Sequence, residues 1–182
     1  MLTKKQPTLT VVFENVHDPH NVSAVIRTCD AVGVLDVHGI YYGRNTFPEL
    51  GKKSSSSARK WVDVHLHQNV DDCYGALREQ GFSIYSTHIS NTSTLLYDLD
   101  LTKPCALVFG NEHDGVSADA CEKADANFII PQVGVIKSLN ISVACAVALY
   151  EAHRQRLQAG MYDVPQLTPE QLEAKKDDWF SR

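Results

Sequence analysis

Short apolar runs recur along the chain, each closed by glycine, proline or a polar turn, and amphipathic segments lie between them. After eight polar, loosely held residues, Leu9-Thr10-Val11-Val12-Phe13 predicts a first strand. A turn over Glu14–His20 leads into a helix from about Asn21 to Val32, with Gly33 placed to end it. Asp36–Tyr42 and Trp61–Leu66 predict further strands, Val70–Gln80 an amphipathic helix closed by Gly81, and Phe82–Ser86 another strand. Asn91–Lys103 reads as a connecting excursion. Ala106–Phe109 and Phe128–Ile130 are apolar throughout, as strands buried on both faces are. A helix is expected from about Ser138, apolar on nearly every face from Leu139 to Leu149 and so buried on most sides. Thr168 with Gln171 has the form of a capping box, and Pro169 suits the first turn of a tail helix running to Phe180. Strands alternating with helices predict an α/β fold, a mainly parallel sheet with helices on both faces.

Composition narrows the class without naming a function. A length of 182 residues fits one domain with a full core, and 43% hydrophobic with 21% charged residues is ordinary for a globular chain. No stretch reads as a membrane span or a signal peptide. Five widely spaced cysteines, Cys29, Cys73, Cys105, Cys121 and Cys145, read as buried free thiols of a cytoplasmic protein. The net charge of −5 argues against a surface coated with phosphate-binding residues but leaves room for local patches. Candidates are Lys4-Lys5, Lys137, and the polar loop 43–60 with its four consecutive serines and Arg44, Lys52, Lys53, Arg59 and Lys60. Arg154 and Arg156 form another, although cations there equally suit the end of a helix dipole.

The candidate chemistry lies between residues 105 and 154. Gly110-Asn111-Glu112-His113-Asp114-Gly115 and Pro131-Gln132-Val133-Gly134 follow two strands, at the carboxyl edge where open α/β sheets bind ligands. Ser138 and Asn140 add polar groups and free helix N–H donors to that place. Near the start, Asn21 is an N-cap by residue type, and Arg27 is either a solvated helix charge or a group leaning toward the strand's carboxyl edge. His17-x-x-His20 and His65-x-His67 are close histidine pairs lacking an obvious third ligand, and Cys-x-x-Cys is absent, so no metal is expected. Dinucleotide and Walker fingerprints are absent as well.

Three motifs in order resemble the SPOUT class of RNA methyltransferases, most closely the TrmH branch of tRNA and rRNA ribose 2′-O-methyltransferases. They are Asn21-x-x-Ala24-x-x-Arg27 running on to Gly33, Phe109-Gly110-Asn111-Glu112-x-x-Gly115-Val116-Ser117, and Ile130-Pro131-x-x-Gly134 followed by Ser138-Leu139-Asn140-Ile141-Ser142-Val143-Ala144. The resemblance implies a methyltransferase domain over residues 1–162 with a C-terminal trefoil knot, and a helical tail over 163–182. It implies S-adenosylmethionine as cofactor, a homodimer meeting through the helix after Ser138, and RNA as substrate, a guanosine of tRNA first. Alternatives are rRNA, a catalytically silent RNA-binding dimer of the same fold, and a small-molecule methyltransferase. By the same resemblance Arg27 acts on the ribose hydroxyl, and Asn21, Glu112, Ser138 and Asn140 complete the catalytic pocket. Thr87, Gly110, Ile130 and Leu139 hold the cofactor. A guanidinium keeps its proton, so Arg27 is expected to orient the ribose or phosphate and stabilise a developing alkoxide, not to act as a base.

Overall fold

The computed structural model describes residues 1–50, 60–136 and 138–182. Its strands are β1 (Leu9–Glu14), β2 (Asp36–Ile40), β3 (Asp63–His67), β4 (Ser83–Thr87), β5 (Thr94–Leu95), β6 (Cys105–Gly110) and β7 (Ala126–Ile129). They form one parallel sheet in the order β3-β2-β1-β6-β4-β7-β5. Its helices are α1 (Pro19–Val32), α2 (Val70–Glu79), α3 (Ala118–Lys123), α4 (Ile141–Gln158) and α5 (Pro169–Ser181).

The continuous apolar runs of β1 and β6 follow from cover on both faces: every residue of each is buried. Val11, Phe13, Leu107 and Phe109 point to the side of α1 and α4, where they join Val25, Cys29, Cys145 and Leu149. Val12 and Val108 point to the other side and pack with Cys73, Tyr74 and Leu77 of α2 and Ala120 of α3. From β1 the chain builds β2 on one side and, much later, β6 on the other, so the sheet has a switch point between β1 and β6. Because all strands run one way, the loops after β4, β6 and β7 gather at a single edge.

Several elements differ from the sequence reading, each for a local reason. Helix α1 starts at Pro19, with Asp18 as N-cap accepting from the His20 amide at 2.8 Å, so Asn21 is not the cap and its side chain is free for other partners. Gly33, at φ 89°, ends the helix as expected. Helix α4 starts at Ile141 and not near Ser138, because Asn140 is its N-cap, accepting from the Ser142 amide at 2.8 Å. The excursion 91–103 contains the short strand β5, and residues 2–4 form a 3₁₀ turn instead of a loose end. The tail carries the capping box read from Thr168 and Gln171. It covers the β3 edge through ion pairs of Lys175 and Arg182 with Asp63 and an edge-on contact of Trp179 with Trp61.

Arg156 is the clearest correction. Placed among the RNA-contacting candidates, it is fully buried, and its five N–H donors meet five oxygens. Nε donates to the Leu101 carbonyl at 2.9 Å, Nη1 to Gln6 Oε1 and Thr8 Oγ1, and Nη2 to the Thr8 and Lys103 carbonyls. The fork therefore ties α4 to the segment before β1 and to the turn before β6, and it has no donor left for phosphate.

Candidate active site

The loops after β4, β6 and β7 and the start of α4 enclose a cleft of about 790 Å³. That is the size and place expected of a ligand site in an open parallel sheet. Its polar rim begins with the loop after β6. Gly110 lies so close to that loop's return that a Cβ on it would sit 1.9 Å from the Gly115 carbonyl carbon and 2.2 Å from the Val116 nitrogen. Only glycine permits this approach. Asn111 pairs with Gly115 as a single antiparallel bridge, and its Oδ1 accepts from the amides of His113 and Asp114 at 2.9 and 2.8 Å. The loop is thereby folded tightly and presents Glu112 outward.

Three amino-acid side chains from three distant segments then join. Asn140 Nδ2 donates to Asn21 Oδ1 at 3.2 Å, and Asn21 Nδ2 donates in turn to Glu112 Oε1. The start of α1, the N-cap of α4 and the loop after β6 are fixed to one another by this amide–amide–carboxylate chain. Asn140 Oδ1 also accepts from the Ser142 hydroxyl at 2.6 Å, so the Asn140 amide is held through both its oxygen and its nitrogen. Glu112 reaches beyond this chain: burial first, and its negative charge second, push the Tyr41 phenol above the usual tyrosine range. The Tyr41 hydroxyl donates to the Val16 carbonyl at 2.8 Å.

The cleft's other walls are apolar or backbone. Thr87 lines it while its hydroxyl donates to the Val108 carbonyl at 3.0 Å. The His88 amide donates to the Phe128 carbonyl at 3.1 Å, closing the space between β4 and β7. Phe109 and Phe128 meet edge to face beneath, with ring centroids 6.3 Å apart. Ile130, Leu139 and Ser138 line the cleft as well. Glu14, which sequence reasoning missed as a site support, is 1% exposed; it accepts from the Ser117 amide at 2.7 Å and the Tyr42 hydroxyl at 3.1 Å. The signal was present in a carboxylate ending an otherwise apolar strand.

Of the residues singled out from sequence, Thr87, Gly110, Glu112, Ile130, Ser138, Leu139 and Asn140 line the cleft, and Asn21 joins it by hydrogen bonds. Arg27 does not line the cleft of its own chain. It is exposed and borders a separate hollow of about 280 Å³ with Ala24, Thr28, Ala31 and Tyr150. Six residues along α1 from Asn21 is about 9 Å of rise and roughly 120° of rotation away, so the two side chains leave the helix on different faces. Arg44 and Lys60 are exposed, and Arg44 follows β2 at the same edge of the sheet as the cleft. Arg154 is clamped along its own helix by Glu151 at 2.7 and 2.8 Å and by Gln158 at 2.8 Å. Lys52, Lys53, Arg59 and Lys137 lie outside the described residues.

The profile of the SpoU rRNA Methylase family matches residues 8–150. This chain belongs to that family. The SpoU-family chain is 45% identical over 184 residues to a Thermus thermophilus tRNA (guanosine(18)-2′-O)-methyltransferase, a match spanning 100% of this chain and 93% of that one. Its structure resembles the crystal structure of the Aquifex aeolicus TrmH/SpoU tRNA modifying enzyme with a TM-score of 0.92 at 38% identity, over 99% of this chain and 91% of the other. An AdoMet-bound rRNA methyltransferase from Sinorhizobium meliloti matches with a TM-score of 0.65 at 26% identity, over 82% of this chain and 60% of the other. The parallel sheet and the converging loops are thus those of SpoU-family enzymes.

Proposed function

We propose that this chain transfers the methyl group of S-adenosylmethionine to the ribose 2′-hydroxyl of a guanosine in tRNA, the one numbered 18 in its relatives' names. The observation that carries the reading is the Asn140–Asn21–Glu112 chain, two of whose members line a cleft of about 790 Å³ at the sheet's carboxyl edge. The cleft suits the methyl donor: it has apolar walls for an adenine in Ile130, Leu139 and Phe128, and exposed backbone at a tight glycine turn for polar groups. Bound there, S-adenosylmethionine supplies a methyl carbon already activated by its sulfonium. In the transfer the O–CH₃ bond would form as the S–CH₃ bond breaks, leaving S-adenosylhomocysteine, and the hydroxyl proton would pass to solvent water.

The protein's share is placement and charge. Asn140 and Ser138 position the ribose, Glu112 and Asn21 hold Asn140, and Arg27 steadies the developing alkoxide or its neighbouring phosphate. Gly110→Ala tests the pocket. The added methyl must displace the backbone of Gly115 and Val116, so affinity for S-adenosylmethionine should fall by tenfold or more in calorimetry, with about 1–3 kcal/mol of stability lost.

The working unit is a homodimer. Val143 (49% exposed), Tyr150 (54%) and Leu157 (54%) recur every seventh residue on one face of α4, and Leu139 (39%) continues the stripe toward the cleft. The apolar sequence of α4 predicts burial on most sides; in one chain it is buried on one, against α1 and the sheet. A second copy laid on the stripe supplies the missing cover and places Arg27, which shares its hollow with Tyr150, at the seam. The knot belongs to the same reading: β6 and β7 flank β4, so the later loops converge over a strand laid down before them. The cytoplasm is the matching compartment, given five free buried thiols and, among the described residues, no helix long and apolar enough to cross a membrane.

Incubating the chain with unmodified tRNA and labelled S-adenosylmethionine, then mapping 2′-O-methyl positions, tests the reading. Label at one guanosine is expected. Label confined to rRNA, or to small metabolites, would replace the substrate; tight RNA binding with no label would make the chain a silent binder.

A further inference from the structure

On the other side of β1 from the cleft, the β2–β3 edge carries a group of side chains that the proposed reaction does not use. His38 of β2 is in register with His65 of β3, and His67 follows on the same face of β3. The three rings stack, His38 lying 5.1 Å from His65 and 5.2 Å from His67 between centroids. His38 Nδ1 is 3.0 Å from His67 Nε2. Above them Cys73, fully buried in the first turns of α2, turns its sulfur toward both rings. One ligand atom from each of His38, His67 and Cys73 lies within 4.8 Å of the other two.

We infer that His38, His67 and Cys73 form a binding site for a divalent metal ion of the zinc class. Bond lengths of about 2.0–2.1 Å to nitrogen and 2.3 Å to sulfur put adjacent tetrahedral ligands roughly 3.3–3.6 Å apart. The 3.0 Å between the imidazole nitrogens is within a few tenths of an ångström of that spacing, while the Cys73 sulfur, within 4.8 Å of both, has up to roughly 1.2 Å to close on binding. Two imidazoles and a thiolate select borderline metals over magnesium or calcium, which take oxygen ligands. The partly exposed His67 gives the ion a path in and leaves the fourth position to water. The surrounding carboxylates suit a cation: Asp36 Oδ1 accepts from His65 Nε2 at 2.8 Å, and Asp72 lies near His67.

Proton bookkeeping is simple. In the free site one ring nitrogen of the His38–His67 pair carries the shared proton; on binding, that ring moves its proton to its other nitrogen. The Cys73 thiol releases one proton, and the ion with one thiolate and two neutral rings keeps one positive charge. The ion would staple α2 to the β2–β3 edge, joining three elements whose ligands are far apart in sequence.

The test uses the full chain freed of metal and titrated with Co²⁺ alone, then with Zn²⁺. One equivalent of Co²⁺ should give a thiolate-to-cobalt charge-transfer band, which Zn²⁺ removes, and either ion should raise Tm. Cys73→Ser should abolish the band. His67→Gln, at a partly exposed edge position, should keep the far-ultraviolet circular dichroism of the parent and weaken Co²⁺ binding by about tenfold or more. No band from the folded parent overturns the site. A band that persists in Cys73→Ser, or unchanged affinity in His67→Gln, overturns it equally. If Cys73→Ser does not fold, the His67→Gln titration decides.

Discussion

Arg27→Ala should lower methyl transfer to tRNA by a factor on the order of 10²–10³ while affinity for S-adenosylmethionine stays within a few-fold. The asymmetry follows from placement. Arg27 touches none of the cleft that would hold the donor and stands instead in the hollow beside Tyr150. Its loss therefore leaves the donor's walls intact and removes only a fixed positive charge from the neighbourhood of the acceptor. Single-turnover rates set against calorimetric affinity separate the two effects. Arg27→Lys should recover only part of the rate, because an ammonium lacks the planar fork that grips ribose and phosphate together. Lost donor binding in a folded Arg27→Ala variant would show that this side chain belongs to the cofactor pocket.

Arg156→Ala should destabilise the fold by about 3–5 kcal/mol, because it strips partners from the buried oxygens of Gln6 and Leu101 and the partly buried ones of Thr8 and Lys103 at one stroke. For a chain of this length that is a fall of roughly 10 °C in Tm. Arg156→Lys should also lose stability, since three donors cannot serve five acceptors. A surface arginine would behave differently: both replacements would be near neutral for Tm and would weaken RNA binding in a salt-dependent way. Thermal melts and salt-series RNA titrations on the same two variants distinguish these patterns.

Most of the fold is legible in the chain because its central strands are almost wholly apolar and its helices are not. The runs around Val11 and Val108 announce strands covered on both faces, and Gly33 and the Thr168–Gln171 pair mark helix ends by local chemistry alone. The cleft was legible for a related reason, since glycine-bearing loops at strand ends gather at one edge of any parallel sheet. Where the reading missed, the deciding partner was remote. Asn21 looks like a cap until Asp18-Pro19 takes that place, and then its partners are Glu112 and Asn140. Arg156 looks like a basic helix end, and nothing near it in sequence reveals the oxygens of residues 6–8 and 101–103. His38 and Cys73 come up to His67 from another strand and from a helix, so no spacing in the sequence brings these three together. A cap can be read within four residues; a contact that only the completed sheet creates cannot.

The strand order also sets a schedule for the newborn chain. β1 lies third from one end of the finished sheet, beside the central strand β6, yet β6 emerges about 96 residues after it. At roughly 5–20 residues per second on the ribosome, that is a wait of about 5–20 s. Through that interval Val11 and Phe13 can lean on α1 and the neighbouring β2, but the flank reserved for β6 stays bare. Early chaperone protection should therefore concentrate on the first forty residues, and release should track the appearance of Cys105–Gly110 outside the exit tunnel.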